Sequence, residues 1–164
     1  MSVLHLDPCD KKTVLFLIPF LPLVVNNLNF EVKTQRVNQS ASEQTCTCGS
    51  GENFVSCCEP FLLEKEFAKT AEQLMRSRYS AYAHGFIDYL IETTYPSQRK
   101  YYSRKAVKQW ADENQWLKLE IVFSSEKIVE FKAYYKDPSA KIQIHHERST
   151  FQFENDKWYF LEGE

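Results

Sequence analysis

The sequence predicts an α+β fold with a small metal-binding module ahead of it. Three observations carry this. Apolar residues recur at helical spacing through the middle of the chain, a period of two takes over from residue 117, and four cysteines crowd into residues 46–58 before both. Helices followed by a run of antiparallel strands give α+β rather than an alternating α/β pattern. A chain of 164 residues holds one ordinary domain plus something small, and its 15% aromatic content, mostly after residue 79, provides for a real core there.

The first forty-three residues read as an unpacked extension and linker. Residues 14–25 are a run of twelve apolar positions interrupted by Pro19 and Pro22. Twelve is too few to span a bilayer, which takes ~20 residues. Lys11 and Lys12 are offset by Asp7 and Asp10, and no small-residue cleavage site follows, so a secretory signal is disfavoured. Residues 34–45 are polar and aperiodic, as a linker is.

Cys46, Cys48, Cys57 and Cys58 follow, spaced C-x-C-x8-C-C. Cys46 and Cys48 lie on a turn carrying Gly49 and Gly51, and glycine tolerates the curled backbone a chelating loop needs. Soft thiolates in a set of four suit structural zinc. Disulfides between adjacent or near-adjacent cysteines are geometrically poor, and a redox thiol is the remaining alternative. Iron–sulfur spacings differ from this one. Zinc is the preferred reading, and a zinc–thiolate site favours a reducing, cytoplasmic compartment. Cys9 stands apart as an inert thiol.

Phe67, Ala71, Leu74, Met75, Tyr79 and Tyr82 fall at helical spacing and end at His84 and Gly85, a C-terminal stop. Residues 86–94 predict a second short helix, closed by Pro96, and 104–113 a third. Lys100, Arg104 and Lys108 fall four apart, which is read as a solvated face in preference to a nucleic-acid contact. Leu117, Leu119, Ile121 and Phe123 then alternate with Lys118, Glu120 and Val122. Val129, Phe131, Ala133 and Tyr135 do the same in a second strand. Residues 141–153 and 158–161 make the third and fourth, with Asn155 and Asp156 as a hairpin turn. A curved sheet with helices over one face would bury these aromatics.

Residues 46–58 resemble the SEC-C motif, a small zinc-binding module. Together with the segments LMRSRYSAY (74–82), YPS (95–97) and HERSTFQFENDKWYFLEG (146–163), they are similar to the YchJ-like family of bacterial SEC-C proteins. The resemblance covers roughly residues 44–163. It implies a SEC-C module at 44–62 and an NTF2-like domain at 66–162, a cone of helices on a curved antiparallel sheet. It also implies zinc ligation by Cys46, Cys48, Cys57 and Cys58. Residues 49–56 lack the lysines common in such modules and carry Glu52, which weakens any docking to acidic partners.

An NTF2-like cone often lines a pocket with the concave face of its sheet. His145, Glu147, Ser149, Phe151 and Phe153 share one strand face by alternation, and the phenylalanines assign that face inward. Arg78 falls on or beside the apolar stripe of the first long helix. A buried guanidinium needs a carboxylate, with Glu147 and Asp88 as candidates. Arg78, Tyr79, His145 and Glu147 are therefore the pocket candidates, read first as a structural ion pair and second as a ligand or acid–base site.

The net charge of −2 calls for neither nucleic acid nor an anionic membrane. No nucleophile motif, phosphate loop or metalloprotease signature occurs. Two functional classes remain. One is a non-enzymatic adaptor docking a protein partner through the zinc module. The other is an NTF2-like pocket enzyme or small-molecule binder.

Overall fold

Helices come first in the chain and strands second. The structure is a computed structural model and describes residues 44–164. The apolar run at 14–25, Cys9 and the expected extension lie outside the described residues.

After a 3-10 turn at Phe54–Ser56 comes a one-turn helix, α1 (Glu59–Leu62). The long helix α2 (Ala71–His84) begins where the Thr70 hydroxyl accepts from the Gln73 amide, satisfying one of the free donors of the first turn. It ends at Gly85, left-handed at φ 74°, whose amide returns to the Ala81 carbonyl. Phe67, expected on this helix's apolar stripe, lies before the cap and is 52% exposed, with Lys157 over its ring. Two further helices follow, α3 (Ile87–Glu92) and α4 (Arg104–Glu113). Ser103 caps the second of these in the same way.

Four strands then form one antiparallel sheet in sequence order: β1 (Gln115–Ser124), β2 (Ile128–Lys136), β3 (Ile142–Glu154) and β4 (Lys157–Gly163). The residues of β2 alternate strictly, with Val129, Phe131, Ala133 and Tyr135 buried. β1 departs from the simple alternation expected of it. Register shifts after Trp116 and after Ile121 leave Leu117 and Val122 without partners on β2, so Leu119 and Ile121 face the core while Leu117 and Phe123 are exposed. At the end of the β3–β4 hairpin, Asn155 and Asp156 both take positive φ, as a tight two-residue turn requires.

β4 covers only the second half of β3, from Ser149 opposite Gly163 to Glu154 opposite Lys157. The irregularity in that pairing, near Thr150 and Phe151, consumes an extra residue on β4. β3 itself keeps its alternation, so Gln143, His145, Glu147, Ser149 and Phe151 share the inner face. Phe153 departs from the expectation: at the hairpin end it is exposed and packs on Trp158.

One hydrophobic cluster runs through the molecule. Cys46, Cys48, Phe54, Cys58 and Phe61 belong to it together with Leu74, Tyr79, Leu119 and Phe151. Among the described residues, no helix is long and apolar enough to cross a membrane.

Candidate functional site

The cysteine segment is shaped by its own backbone. Cys46 N–H bonds to Glu52 O at 2.7 Å and Phe54 N–H to Gln44 O at 2.9 Å, which closes a small loop. Gly49 and Gly51 turn it with φ of 74° and 84°. Cys58 then starts α1, its carbonyl accepting from the Phe61 and Leu62 amides. All four Sγ atoms converge within 4.8 Å of one another. Cys48 and Cys57 are 3.6 Å apart, and Cys57 and Cys58 3.9 Å. A tetrahedron with Zn–S of ~2.3 Å has edges of about 3.8 Å, so the donor set fits a tetrahedral thiophilic ion.

Four sulfurs this close cannot all carry charge without a cation. Hydrogen bonds from Cys46 and Cys58 hold the Cys48 thiol far below its ordinary range. Hydrogen bonds with Cys46 and then Cys48, with burial, push Cys58 up. Burial pushes Cys57 up to about 11. A cation is what would release the thiol protons together. Hydroxyls surround the sulfurs, with Ser50 Oγ 3.2 Å from Cys57 Sγ and Ser80 Oγ 3.6 Å from Cys46 Sγ.

The module is fastened to α2 and β1. Arg76 donates from Nη1 to the Cys48 carbonyl at 2.8 Å, and its other edge pairs with Glu72. Thr47 Oγ1 meets Ser80 Oγ at 3.0 Å, and Phe54 stacks on His84 at 4.4 Å. Gly49 approaches β1 so closely that a β-carbon would stand 2.7 Å from the Leu119 carbonyl oxygen.

On the other side of α2, the inner sheet face and the helices enclose a cavity of about 70 Å³. Arg78, Tyr79, His145 and Glu147 all line it. Arg78 is 5% exposed and stacks its guanidinium on Phe160 at 4.8 Å. It forms no ion pair with Glu147 or Asp88, contrary to expectation. Nη1 instead donates to Leu90 O at 2.8 Å and Thr93 Oγ1 at 2.7 Å, with Thr94 Oγ1 at 3.4 Å. The last turn of α3 thus offers the acceptors that a carboxylate was expected to supply. Asp88 pairs with Arg104 on the surface.

The Glu147 side chain is 11% exposed. Its Oε2 lies 2.8 Å from His145 Nε2, and its Oε1 accepts from the Ser149 hydroxyl. Burial alone would raise its pKa. The bonds from His145 and Ser149, with the charges of His145 and Arg78, outweigh that and hold it below the ordinary value. The carboxylate is ionised and acts as an acceptor, which assigns the proton of the contact to His145 Nε2. The Tyr79 hydroxyl is buried without a well-formed hydrogen bond; the Lys118 backbone is the polar group facing it, and burial raises its pKa.

Trp110, Trp116 and Tyr135 wall the cavity, and the Thr93 and Thr94 hydroxyls beside it accept from Arg78; none of these five is among the sequence candidates for the pocket. The walls had a signal, since Trp116 and Tyr135 sit opposite each other on paired strands. The stripe of Lys100, Arg104 and Lys108 is largely offset, with Arg104 on Asp88 and Lys108 on Asp112.

A SEC-C-like loop in front of a helix-and-sheet cone can be compared with known proteins. The family described as YchJ, middle NTF2-like domain, matches residues 70–163. The chain belongs to the YchJ-like SEC-C family. A UPF0225 protein of Geobacter sulfurreducens is 41% identical over 125 residues, covering 72% of this chain and 77% of the relative. A UPF0225 protein of Haemophilus influenzae is 41% identical over 128 residues, covering 75% and 79%. Among solved structures, this YchJ-like chain resembles the solution structure of a SEC-C motif containing protein from Rhodopseudomonas palustris. The TM-score is 0.70 and the identity 42%, over 74% of this chain and 98% of that one. The crystal structure of a SEC-C motif containing protein from Psychrobacter arcticus follows at TM-score 0.63 and 37% identity, over 75% and 83%. The YchJ-like fold is therefore an NTF2-like α+β domain with a cysteine cluster seated at its N-terminal side.

Proposed function

We propose that this YchJ-like protein is a non-enzymatic, zinc-bearing binding or adaptor protein of the cytoplasm, and that its SEC-C module docks a protein partner. The convergence of Cys46, Cys48, Cys57 and Cys58 within 4.8 Å carries this reading. Four protein sulfurs complete a tetrahedral shell and leave no position for a substrate, as in structural zinc sites. The ion's part is then to hold the loop in shape. The buried side of that loop is used up on α2 and β1, while Ser50, Glu52, Asn53, Val55 and Ser56 remain exposed. An apolar Val55 amid small polar groups, without a lysine, suits a protein surface better than a phosphate backbone.

The test is capture from lysate with intact protein, with Cys57→Ser/Cys58→Ser, and with Val55→Glu. A partner lost in both variants but retained by Arg78→Lys supports docking through the module. Equal recovery by all four proteins rejects it.

A second reading is favoured by one specific observation. Arg78, Tyr79, His145 and Glu147 meet in one cavity, with Arg78 and Glu147 not paired to each other. This supports an NTF2-like small-molecule binder or pocket enzyme using those four residues.

A further inference from the structure

We infer that the cavity takes a small zwitterion, a carboxylate joined to an ammonium group, with the carboxylate at Arg78 and the ammonium at Glu147. This rests on the reading of the cavity as a ligand site and names the chemistry it selects.

The Arg78 guanidinium has spare capacity. All of its hydrogen bonds leave from Nη1. Nε and Nη2 make none, and neither is sealed from solvent. Those two donors form one edge of the planar fork, the edge that grips a carboxylate with two parallel bonds. Phe160 below the guanidinium and the α3 carbonyl beside it fix the direction of that edge.

Glu147 supplies the opposite sign. Its carboxylate is ionised despite burial, and each oxygen has one protein donor, leaving acceptor sites free. Arg78 and Glu147 feel each other's charge without touching. Two opposite charges held apart across a partly desolvated cavity make a fixed dipole. A lone carboxylate would be drawn to Arg78 and repelled by Glu147, and a lone ammonium the reverse. Only a ligand with both groups is attracted at both ends.

Aromatic rings close the far end of the cavity. Trp110 stands edge-on to Tyr135 at 5.2 Å and to Trp116 at 6.5 Å, and Trp116 is tilted to Tyr135 at 5.8 Å. These rings gather at the pair of Tyr135 with Gln143, about 13 Å along the strands from the pair of Phe131 with Glu147 at ~3.3 Å per residue, so they form an apolar wall away from the charged groups. The size limits the ligand. At ~10–15 Å³ per water, a cavity of about 70 Å³ holds roughly five to seven water-sized groups.

The experiment uses the full metal-loaded chain and four probes of one shape, each of five non-hydrogen atoms: glycine with both charges, propionate with only the carboxylate, glycinamide with only the cation, and neutral propanamide. Binding is read by calorimetry and by the Arg78 Nε–H and His145 ring resonances. Glycine is expected to bind at least about tenfold tighter than each of the others. Glu147→Gln should erase the preference over propionate, and Arg78→Lys should narrow the preference over glycinamide. The comparison among probes is made on the unaltered chain, so it stands whatever the variants do to folding. If propionate or glycinamide matches glycine, the zwitterion assignment is overturned while the cavity remains a ligand site. If no probe, the neutral one included, gives heat or moves either resonance at millimolar concentration, the cavity is not a ligand site and both readings fall.

Discussion

Gly163 lies directly against the Glu147 side chain: a β-carbon on Gly163 would overlap the carboxylate and stand 2.8 Å from its Cγ. The glycine is paired with Ser149 across the β3–β4 ladder, and Ser149 also holds the same carboxylate. The seat of Glu147 is therefore built from β3 on one side and from the missing side chain of β4 on the other.

Gly163→Ala should displace the Glu147 carboxylate without changing its charge. The side chain can move, so the stability cost should stay near or below about 1 kcal/mol. Glycine binding should fall together with it. Unchanged chemical shifts at His145 and Ser149 in this variant would show that the seat does not depend on Gly163.

Glu147→Gln should destabilise the chain by about 1–3 kcal/mol, the cost of a charged hydrogen-bonding group. A direct buried ion pair with Arg78 would have implied about 3–5 kcal/mol. The pH dependence has a definite sign. The folded-state pKa lies below the ordinary 4.5, so the stability Glu147 contributes is fully present above that value and disappears as pH falls through the lowered one. Urea denaturation of both proteins should show the difference between them shrinking in acid.

Purified protein should hold about one zinc per chain, with loss of metal on acidification as thiolates take up protons. Elemental analysis across a pH series checks this. A chain with no metal and four freely titrating thiols would exclude the assignment.

Chelation should lower the melting temperature of the whole chain while leaving the NTF2-like domain folded. Cys46, Cys48 and Cys58 are part of the common core, and Arg76 reaches from α2 to the Cys48 carbonyl. Each kcal/mol lost lowers Tm by roughly 2–4 °C for a chain of this length. Calorimetry with and without chelator reads the shift, and an unchanged Tm would show the module to be thermally independent.

Gly49→Ala should be costly for two reasons at once. Position 49 is left-handed, and the new carbon would press on backbone of β1 that cannot rotate away. A loss of more than about 1 kcal/mol is expected, with weaker zinc retention. Gly51 has a similar φ but open space around it, so Gly51→Ala should cost less.

Much of this molecule could be read in the chain. The cysteine spacing announced a converging set of sulfurs, and strict alternation in β2 and β3 placed Phe131, His145 and Glu147 on the inner face. Two kinds of feature escaped. Bulges at Leu117 and Val122 left Leu117 and Phe123, at the two ends of the β1 stripe, exposed while Leu119 and Ile121 kept the expected side, because a one-residue insertion leaves no compositional trace. The partners of Arg78 escaped because a backbone carbonyl at the end of α3 is chemically equivalent to every other carbonyl in the sequence. Phe153 shares the inner face by alternation but lies at its exposed hairpin end, so the burial of that face rests on Ser149 and Phe151.

Helix α2 is a party wall. Arg76 and Ser80 look into the cysteine module, while Met75, Arg78, Tyr79 and Tyr82 look into the cavity. A rotation of this one helix would be felt in both rooms. By linkage, a metal that changed the affinity for a cavity ligand by some factor would have its own affinity changed by the same factor when that ligand binds. Affinity at either site is then to be measured with the occupancy of the other held fixed.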